Sequence, residues 1–319
     1  LQHGTVTAVL DSKHLEVTTL RVDVETDGRH AEVAYTKDWL EDAKRRDFTF
    51  NALYLTSLGE LFDPFGGEQD LVAGRVRFIG DAKERIQEDA LRVLRLFRFQ
   101  ALLGKEAIEP SALDACRHLS SMLKSLSVER VRSELSKLLK AQNPIFALEE
   151  MQEAKVFHGL GIEEVSLSVL KEYVANESFL DAEIDPLTRL SRLFSQSFDA
   201  QALSKWLKLS NKQKGFLKSL EQALAAETVL ADLEMRRYIY QRGQTVSSAA
   251  AICLGNKALY SYSLNWSVPI FPVQGRDLMV QGMLAGPKVG EALSHLEAKW
   301  IESDFTLSKS QLLKQSGPV

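Results

Sequence analysis

The sequence lacks the features that mark membrane, secreted and disulfide-stabilised proteins. Its 319 residues contain no apolar run near the roughly 18 residues that a membrane span needs. The start, LQHGTVTAVLDSK, has neither the basic nor the apolar region of a signal peptide. Only two cysteines are present, Cys116 and Cys253, and their wide separation favours two buried thiols in a reducing compartment over a bridge or a metal site. We expect a protein that is soluble and not secreted.

An excess of positive charge is also missing, as are low-complexity tracts and internal repeats. The net charge at pH 7 is −4, with 45% hydrophobic and 26% charged residues, which is typical of globular proteins. This balance excludes attraction to nucleic acid over the whole surface, so any RNA contact has to come from local basic patches.

The beginning of the chain predicts a small amount of sheet. β-Branched residues dominate GTVTAVL (4–10) and LEVTTL (15–20), and turn-forming residues separate the two segments, so a β-hairpin is predicted. Residues 21–32 are polar and contain an Asp-Gly turn signal, which predicts a mobile loop before a short strand at 33–35. A helix is then expected to start near Lys37.

Helical spacing dominates the chain after Asp81, and it continues past Leu224. The last two thirds of the protein are therefore predicted to be almost entirely α-helical. Pro269, Pro272 and Gly275 break this pattern and predict a junction before a tail.

Residues 88–99, EDALRVLRLFRF, carry the most informative charge pattern. Asp89, Arg92, Arg95 and Arg98 recur at every third position, a spacing that drifts by only about 60° per step around a helix. One broad helix face can therefore carry an acid and two or three guanidinium groups. A salt-bridged surface helix explains this pattern, and a recognition helix for a nucleobase and a triphosphate is the alternative.

Two further segments precede this one. KRRDFTFNA (44–52) resembles a charge cluster at a helix end, and the Gly66-Gly67 pair in DPFGGEQDL (63–71) resembles a plain turn. Each signal is weak by itself, whereas their order and spacing within the first hundred residues are distinctive.

Taken in order, these segments resemble the class II tRNA nucleotidyltransferases, the CCA-adding enzymes, and the related bacterial poly(A) polymerases. The resemblance is closest to the alphaproteobacterial and mitochondrial branch, and it is weakest between about Pro144 and Tyr260. The matching segments are HGTVTAVL, LEVTTLRVDVETDGRHAEV, RRDFTFNALYL, LFDPFGGEQDL, QEDALRVLRLFRF, SVERVRSEL, FPVQGRDLMVQGMLAGPKVGEAL and WIESDFTLS.

The resemblance implies an α+β fold in which a truncated, β-polymerase-like nucleotidyltransferase head precedes an extended all-α neck, body and tail. The implied divisions are a partial head at 1–80, a helical neck with the nucleotide-recognition helix at 81–140, a helical body at 141–262 and a tRNA-binding helical tail at 263–319. The glycine-rich part of the tail lies near RNA backbone or forms a structural helix junction, and both readings stay open.

The resemblance also implies the reaction, which is addition of C, C and A to tRNA 3′ ends from CTP and ATP. The residues that it assigns to the incoming nucleotide are Arg46, Asp89, Arg92, Arg95 and Arg98. A carboxylate suits the exocyclic amine of cytosine or adenine, and arginines suit cytosine's acceptors and the triphosphate.

Two Mg²⁺ ions serve catalysis in this family, held by an Asp-x-Asp pair upstream of HGTVT that this sequence does not contain. Glu16 is the one catalytic and metal-binding candidate present, with a solvated strand residue as the alternative. Because the sequence starts at Leu1 within a predicted strand, we expect a fragment of a longer enzyme. With only one candidate carboxylate to hold two metals, we expect this fragment to be inactive.

Two other functions stay open from the sequence. A poly(A) polymerase is disfavoured by the segment at 21–32, which in this family accompanies addition of the terminal A. A non-catalytic tRNA-binding module is the second alternative, because the aspartate pair is missing. The expected location is the bacterial cytoplasm or the mitochondrial matrix, without membrane association, and the sequence leaves the oligomeric state open.

Overall fold

Short antiparallel strands come first along the chain, and helices make up most of the rest. The computed structural model describes residues 4–11, 13–26, 31–194, 198–225 and 232–315. Its strands form three two-stranded antiparallel pairs: Thr5–Leu10 (β1) with Lys13–Thr18 (β2), Arg21–Thr26 (β3) with Ala31–Tyr35 (β4), and Tyr54–Leu55 (β5) with Leu61–Phe62 (β6).

The β1–β2 hairpin confirms the sequence prediction, with Glu16 paired opposite Thr7. The loop predicted at 21–32 is wrong for its larger part, because β3 and β4 pair there with Arg21 opposite Tyr35. Alternating β-branched residues in RVDVET favour a strand although the segment is polar. The Asp-Gly turn signal lies outside the described residues.

The helices begin after β4. In order along the chain they are Trp39–Lys44 (α1), Gly67–Ala73 (α2), Ala82–Glu88 (α3), Leu91–Leu103 (α4), Pro110–Leu119 (α5), Val128–Leu138 (α6), Ile145–Glu153 (α7), Val156–Gly159 (α8), Leu167–Leu180 (α9), Pro186–Phe194 (α10), Ala200–Trp206 (α11), Asn211–Ala225 (α12), Asp232–Arg242 (α13), Gln244–Cys253 (α14), Lys257–Asn265 (α15), Gly275–Val280 (α16), Pro287–Glu302 (α17) and Lys309–Leu313 (α18). Two 3₁₀ helices occur at Thr49–Ala52 and Ser120–Ser125.

The chain forms two compact units. The first contains the described residues of 1–174, 184–198 and 202–209, and the second those of 175–183, 199–201 and 210–319. The four-part division into head, neck, body and tail stays a prediction. No helix of the described part of the chain is long and apolar enough to cross a membrane.

The predicted recognition helix is interrupted at its acidic residue. Asp81 caps the start of α3 by accepting from the backbone of Lys83 and Glu84, and α3 ends at Glu88. Asp89 then adopts an extended backbone with φ −151° and ψ 106°. Its Oδ1 accepts from Leu91 N at 3.0 Å, at the start of α4. The expectation of one continuous helix face from Asp89 onward is therefore wrong, because α3 ends just before Asp89 and the Asp89 carboxylate accepts from the first residue of α4.

The helix α4 is the central element of the first unit. Val93, Leu94, Leu96 and Phe97 are almost completely buried, and α4 packs against α6 and α7. Burial of such side chains stabilises the fold by roughly 1.5–3 kcal/mol each. The arginines of α4 therefore stand on an element whose other faces are fixed by packing.

The two glycines of DPFGG have more than a turn function. Gly66 has a φ of +72°, and a Cβ on Gly67 would lie 2.3 Å from the carbonyl oxygen of Thr49. Only glycine allows α2 to approach the 3₁₀ helix this closely. The plain-turn interpretation of this pair is therefore incomplete.

Candidate nucleotide-binding cleft

A charged cavity of about 420 Å³ lies beside α4 in the first unit. We name it the arginine cleft. Its walls come from the end of α1, the residues around the first 3₁₀ helix, the junction of α3 with α4, α4 itself and α6. The lining residues are Arg45, Arg46, Asp47, Asn51, Asp89, Leu91, Arg92, Arg95 and Arg130.

The backbone of the RRD segment is fixed by pairing with a distant part of the chain. Phe48 is fully buried and forms an antiparallel bridge with Phe78, their ring centroids 4.9 Å apart. Thr49 N donates to Arg77 O at 3.1 Å, and Ile79 N donates to Asp47 O at 3.0 Å. These bonds hold Arg46 and Asp47 against α4.

Four of the predicted site residues meet in the cleft, namely Arg46, Asp89, Arg92 and Arg95. Arg98 does not line it. Its side chain is 9% exposed, Nη1 lies 3.1 Å from Glu134 Oε2, and the guanidinium carbon stands 4.1 Å from the Phe99 ring centroid. Arg98 is thus part of the support behind the cleft.

Glu16 is not among the residues that line the arginine cleft. It lies in the middle of β2 with its side chain exposed to solvent. The described residues contain no group of three or more His, Cys, Asp or Glu side chains that could hold a metal ion.

Asp89 enters the cleft with both carboxylate oxygens engaged. Oδ1 accepts the backbone bond from Leu91, and Oδ2 accepts from Arg130 Nη2 at 2.7 Å. Each oxygen of an ionised carboxylate has two lone pairs, so Asp89 can still accept from a ligand. Arg130 and the helix start together fix the direction of this acceptor.

Arg92 is held by protein acceptors on both terminal nitrogens. Nη1 donates to Arg85 O at 2.9 Å and to the Glu88 carboxylate, and Nη2 donates to Arg45 O at 3.2 Å. Glu88 also pairs with Arg85 at 2.8 Å. This network prevents Arg92 from swinging freely, so that it presents a constrained set of donors.

Arg95 is oriented by the aspartate of RRD. Its Nε lies 2.5 Å from Asp47 Oδ2, while Asp47 Oδ1 accepts from Asn51 Nδ2 at 2.8 Å and from Phe48 N at 3.0 Å. Burial alone would raise the pKa of Asp47, but these bonds and the charge of Arg95 lower it. Asp47 therefore stays ionised and keeps Arg95 in place.

Arg45 and Arg46 share one buried anion, Asp42. Nη2 of Arg45 lies 2.5 Å from Asp42 Oδ1, and Nη2 of Arg46 lies 2.9 Å from Oδ2. Burial alone would raise the pKa of Asp42, but bonds from Tyr54, Arg45, the Arg21 amide and Arg46 hold it well below its usual range. The Tyr54 hydroxyl donates to Oδ2 at 2.7 Å. Burial and this bond raise the pKa of Tyr54 to about 12.

The sequence interpretation missed four polar or charged residues that line the cleft, Arg45, Asp47, Asn51 and Arg130, and the apolar Leu91. Asp47 and Asn51 are four residues apart, which is a weak local signal for a shared function. Arg130 is 41 residues from Asp89 along the chain. Its only signal in the sequence is its position in SVERVRSEL, a segment of the family resemblance.

The chemistry of the cleft suits a ligand with a polyanion at one end and hydrogen-bonding groups at the other. Arginines outnumber carboxylates in its lining, so an anionic group is attracted. Asp89 and Arg92 add a fixed acceptor and a fixed donor on the same wall. A nucleoside triphosphate has both kinds of group.

Comparison with known proteins identifies the family. Residues 1–77 match the domain family described as "Poly A polymerase head domain", and residues 107–163 match "Probable RNA and SrmB- binding site of polymerase A". The mitochondrial CCA tRNA nucleotidyltransferase 1 of Danio rerio is 36% identical over 330 residues, covering 98% of this chain and 75% of that protein. This chain belongs to the CCA tRNA nucleotidyltransferase family.

Two further relatives are also similar in sequence to this chain over more than nine tenths of its length. The human mitochondrial enzyme of this name is 33% identical, covering 98% of this chain and 74% of its own length. A CCA-adding enzyme of Staphylococcus aureus (strain MRSA252) is 29% identical, covering 93% and 74%. The resemblance inferred from the motifs is confirmed.

Solved structures confirm the α+β fold with a small sheet-bearing head and a helical remainder. The Bacillus stearothermophilus CCA-adding enzyme in complex with CTP matches with a TM-score of 0.77 at 25% identity, covering 99% of this chain and 81% of that one. The Thermotoga maritima CCA-adding enzyme complexed with tRNA matches with a TM-score of 0.65 at 20% identity, which supports the fold alone.

Proposed function

We propose that this protein adds C, C and A to the 3′ end of tRNA, using CTP and ATP as substrates. The observation that carries the proposal is the arginine cleft, in which Arg46, Asp89, Arg92 and Arg95 meet within one cavity. These are four of the five residues that the family resemblance assigns to the incoming nucleotide. Membership of the family supports the reaction type.

Base selection is assigned to Asp89 and Arg92. The carboxylate accepts from the exocyclic amine of cytosine or adenine, and the guanidinium donates to an acceptor on the same edge of the base. Uracil and guanine would each place a carbonyl oxygen against the Asp89 carboxylate. Rejection then follows from repulsion and from unpaired buried groups.

Arg46 and Arg95 are assigned to the triphosphate. Each uses one edge of its guanidinium for an internal carboxylate, Asp42 or Asp47, and keeps its remaining donors toward the cleft. Charge-assisted hydrogen bonds of this kind are the strongest that a side chain offers to phosphate. Arg98 contributes as a positioning residue, because its pair with Glu134 lies behind the cleft.

The nucleotidyltransferase family generally uses a divalent metal ion, and Mg²⁺ is the ion proposed for this protein. The described residues do not by themselves fit a two-metal site, because Glu16 is a lone exposed carboxylate. Two metals need several oxygen ligands. The role of Glu16 as a ligand therefore stays a prediction.

Glu16 is tested by the Mg²⁺ dependence of CTP incorporation. If it is a ligand, Glu16→Gln raises the Mg²⁺ concentration for half-maximal activity by about tenfold, in line with the loss of an ionic oxygen ligand. His14→Gln, two residues earlier on the same strand, is the control and leaves that concentration unchanged. An identical Mg²⁺ dependence for both variants would indicate that Glu16 is a solvated strand residue and not a metal ligand.

The RNA partner is assigned to tRNA, with residues 107–163 and the tail at 263–319 as the regions to examine first. The first of these matches an RNA-binding domain family, although that description concerns the family. In the tail, Gly286 precedes the N-terminus of α17, and the positive end of a helix dipole attracts a backbone phosphate. The proposed location is the mitochondrial matrix or the bacterial cytoplasm, and the names of the Danio rerio and human relatives include the word mitochondrial.

The deciding experiment is primer extension on tRNA that lacks its 3′ CCA. The protein as its gene encodes it is supplied with CTP alone, and then with CTP and ATP. We expect two additions with CTP and three with both nucleotides. Absence of nucleotide-dependent extension, in protein that is folded and binds the tRNA, would overturn the proposal.

Poly(A) polymerase is the second candidate, and the match of residues 1–77 to a poly(A) polymerase head domain is the observation that favours it. The same primer extension separates the two functions. Long A tracts made with ATP alone indicate poly(A) polymerase, whereas termination after a single A indicates CCA addition.

A further inference from the structure

Asp42 is a buried carboxylate that the proposed function leaves unused. It lies within the short helix α1, is completely buried, and does not line the arginine cleft. A buried charge is costly unless it is paired and hydrogen-bonded. The groups that pair with Asp42 therefore indicate its function.

Its Oδ2 faces one cleft arginine and a tyrosine. Arg46 approaches with Nε at 3.3 Å and Nη2 at 2.9 Å, and the Tyr54 hydroxyl donates at 2.7 Å. The Arg46 side chain lines the cleft and is 39% exposed. Because Asp42 holds Nε and Nη2, the guanidinium is kept in one orientation at the wall of the cleft.

Its Oδ1 holds the base of the β3–β4 hairpin. Oδ1 accepts from Arg21 N at 3.1 Å and from Arg45 Nε at 2.9 Å, and the same Nε donates to Arg21 O at 2.9 Å. The first residue of β3 is therefore bound through both of its backbone groups by the Asp42–Arg45 pair. One carboxylate connects this strand to the wall of the cleft.

We propose that Asp42 is a positioning residue of the nucleotide site, which orients Arg46 toward the triphosphate while tying the start of β3 to the same wall. This inference rests on the proposed function. Asp42 does not line the cleft, so its effect on binding has to pass through the two arginines that it holds, and Arg46 is the more exposed of them, at 39% against 13% for Arg45. That dependence distinguishes positioning from a general contribution to folding.

The test is a double-mutant cycle on the Kd of CTP, measured by calorimetry in Mg²⁺. We expect Asp42→Asn and Arg46→Gln each to weaken CTP binding by about tenfold, the scale of one lost charged hydrogen bond. In the Arg46→Gln background, Asp42→Asn should change the Kd by less than about twofold, because the group it orients is gone. Binding of CMP should be weakened less than binding of CTP.

Asp38→Asn is the matched control. It is the same change on the same helix, where Asp38 is the exposed N-cap of α1, and asparagine caps equally well. We expect its Kd for CTP to stay within twofold of the unmodified protein.

Tyr54→Phe keeps the proposal testable if Asp42→Asn does not fold. It removes one donor to Oδ2 and leaves the charges intact, so a two- to threefold weakening is expected, and none in the Arg46→Gln background. Equal weakening in both backgrounds, or none in the unmodified background, overturns the role of Asp42. Failure of the unmodified protein to bind CTP overturns the proposed function instead.

Discussion

The β1–β2 hairpin and the arginine cleft are held together in opposite ways. The hairpin pairs its two backbones over six residue pairs, while its apolar side chains, such as Val9 and Leu15, are more than half exposed. In the cleft, charged side chains join separate elements instead, as in the pairs Asp47–Arg95 and Asp89–Arg130, and Asp42 fixes Arg46 within one wall.

This difference shows where changes of sequence are expected to matter. A hairpin held by its backbone tolerates many side chains, since the ladder bonds do not depend on them. A cleft held by charge pairs does not, because Asp42 and Asp47 are buried and loss of their arginine partners leaves these charges without compensation. Sensitivity to mutation should therefore concentrate behind and within the cleft.

The largest effect is expected from the ion pair behind the cleft. Glu134→Ala leaves the buried Arg98 guanidinium unpaired and should lower the free energy of unfolding by about 3–5 kcal/mol. Urea unfolding followed by circular dichroism measures it. Lys137→Ala is the control, because Lys137 contacts the same carboxylate from the surface, and its effect should stay below about 0.5 kcal/mol. Similar losses of unfolding free energy in the two variants would show that the buried Arg98–Glu134 pair stabilises the protein no more than the surface contact of Lys137.

The second effect concerns base selection inside the cleft. Asp89→Ala should weaken the binding of both CTP and ATP. It should also reduce the preference for CTP over UTP by about tenfold or more, because it removes the acceptor for the exocyclic amine. Competition binding of the four nucleoside triphosphates measures this preference. Glu129→Ala, next to Arg130 on α6, is the control. An unchanged nucleotide preference in Asp89→Ala would restore the salt-bridged surface interpretation of EDALRVLR.

A third prediction concerns the β3–β4 segment, whose first residue is tied to the wall of the cleft by Asp42 and Arg45. One cleft has to accept C twice and then A, so a neighbouring segment has to readjust. Deletion of residues 24–29, at the end of β3 and beyond, should abolish A addition and spare much of the CC addition. Primer extension with CTP alone and with both nucleotides gives the two yields. Equal loss of both activities would indicate a role in folding.

The smallest effect is expected from Tyr54 and depends on pH. Its pKa of about 12 in the folded protein exceeds the ordinary value near 10, so its stabilising contribution is complete below pH 10 and declines as the pH rises from 10 to 12. Tyr54→Phe should therefore cost about 1 kcal/mol at pH 8 and less at pH 11. Urea unfolding at the two pH values tests this. A constant difference would mean that the Asp42 bond does not set the pKa of Tyr54.

The sequence predicted the β1–β2 hairpin because strand propensity and turn chemistry are local. It also predicted helices after Asp81, since apolar spacing is local as well. The strand at β3 was missed because polarity was weighed above the alternation of valines, although both faces of a two-stranded hairpin can be exposed.

The cleft was predicted less completely than the fold. A three-residue spacing turns Arg98 about 120° away from Arg92, so the two cannot face the same cavity, and spacing alone does not say which of them turns inward. The same spacing hid the backbone break at Asp89. Arg130 and Asp42 matter through contacts across tens of residues or through burial, which only the folded chain defines.

The two cysteines differ in burial, and we expect this difference to allow one of them to be labelled selectively. Burial raises the pKa of Cys116 to about 12, whereas Cys253 is half-buried at the end of α14. A maleimide reacts with the thiolate, so Cys253 should be modified first. A single fluorophore can therefore be attached to the second unit without removing any cysteine, and energy transfer to a dye on the tRNA acceptor stem would then follow each round of elongation in real time.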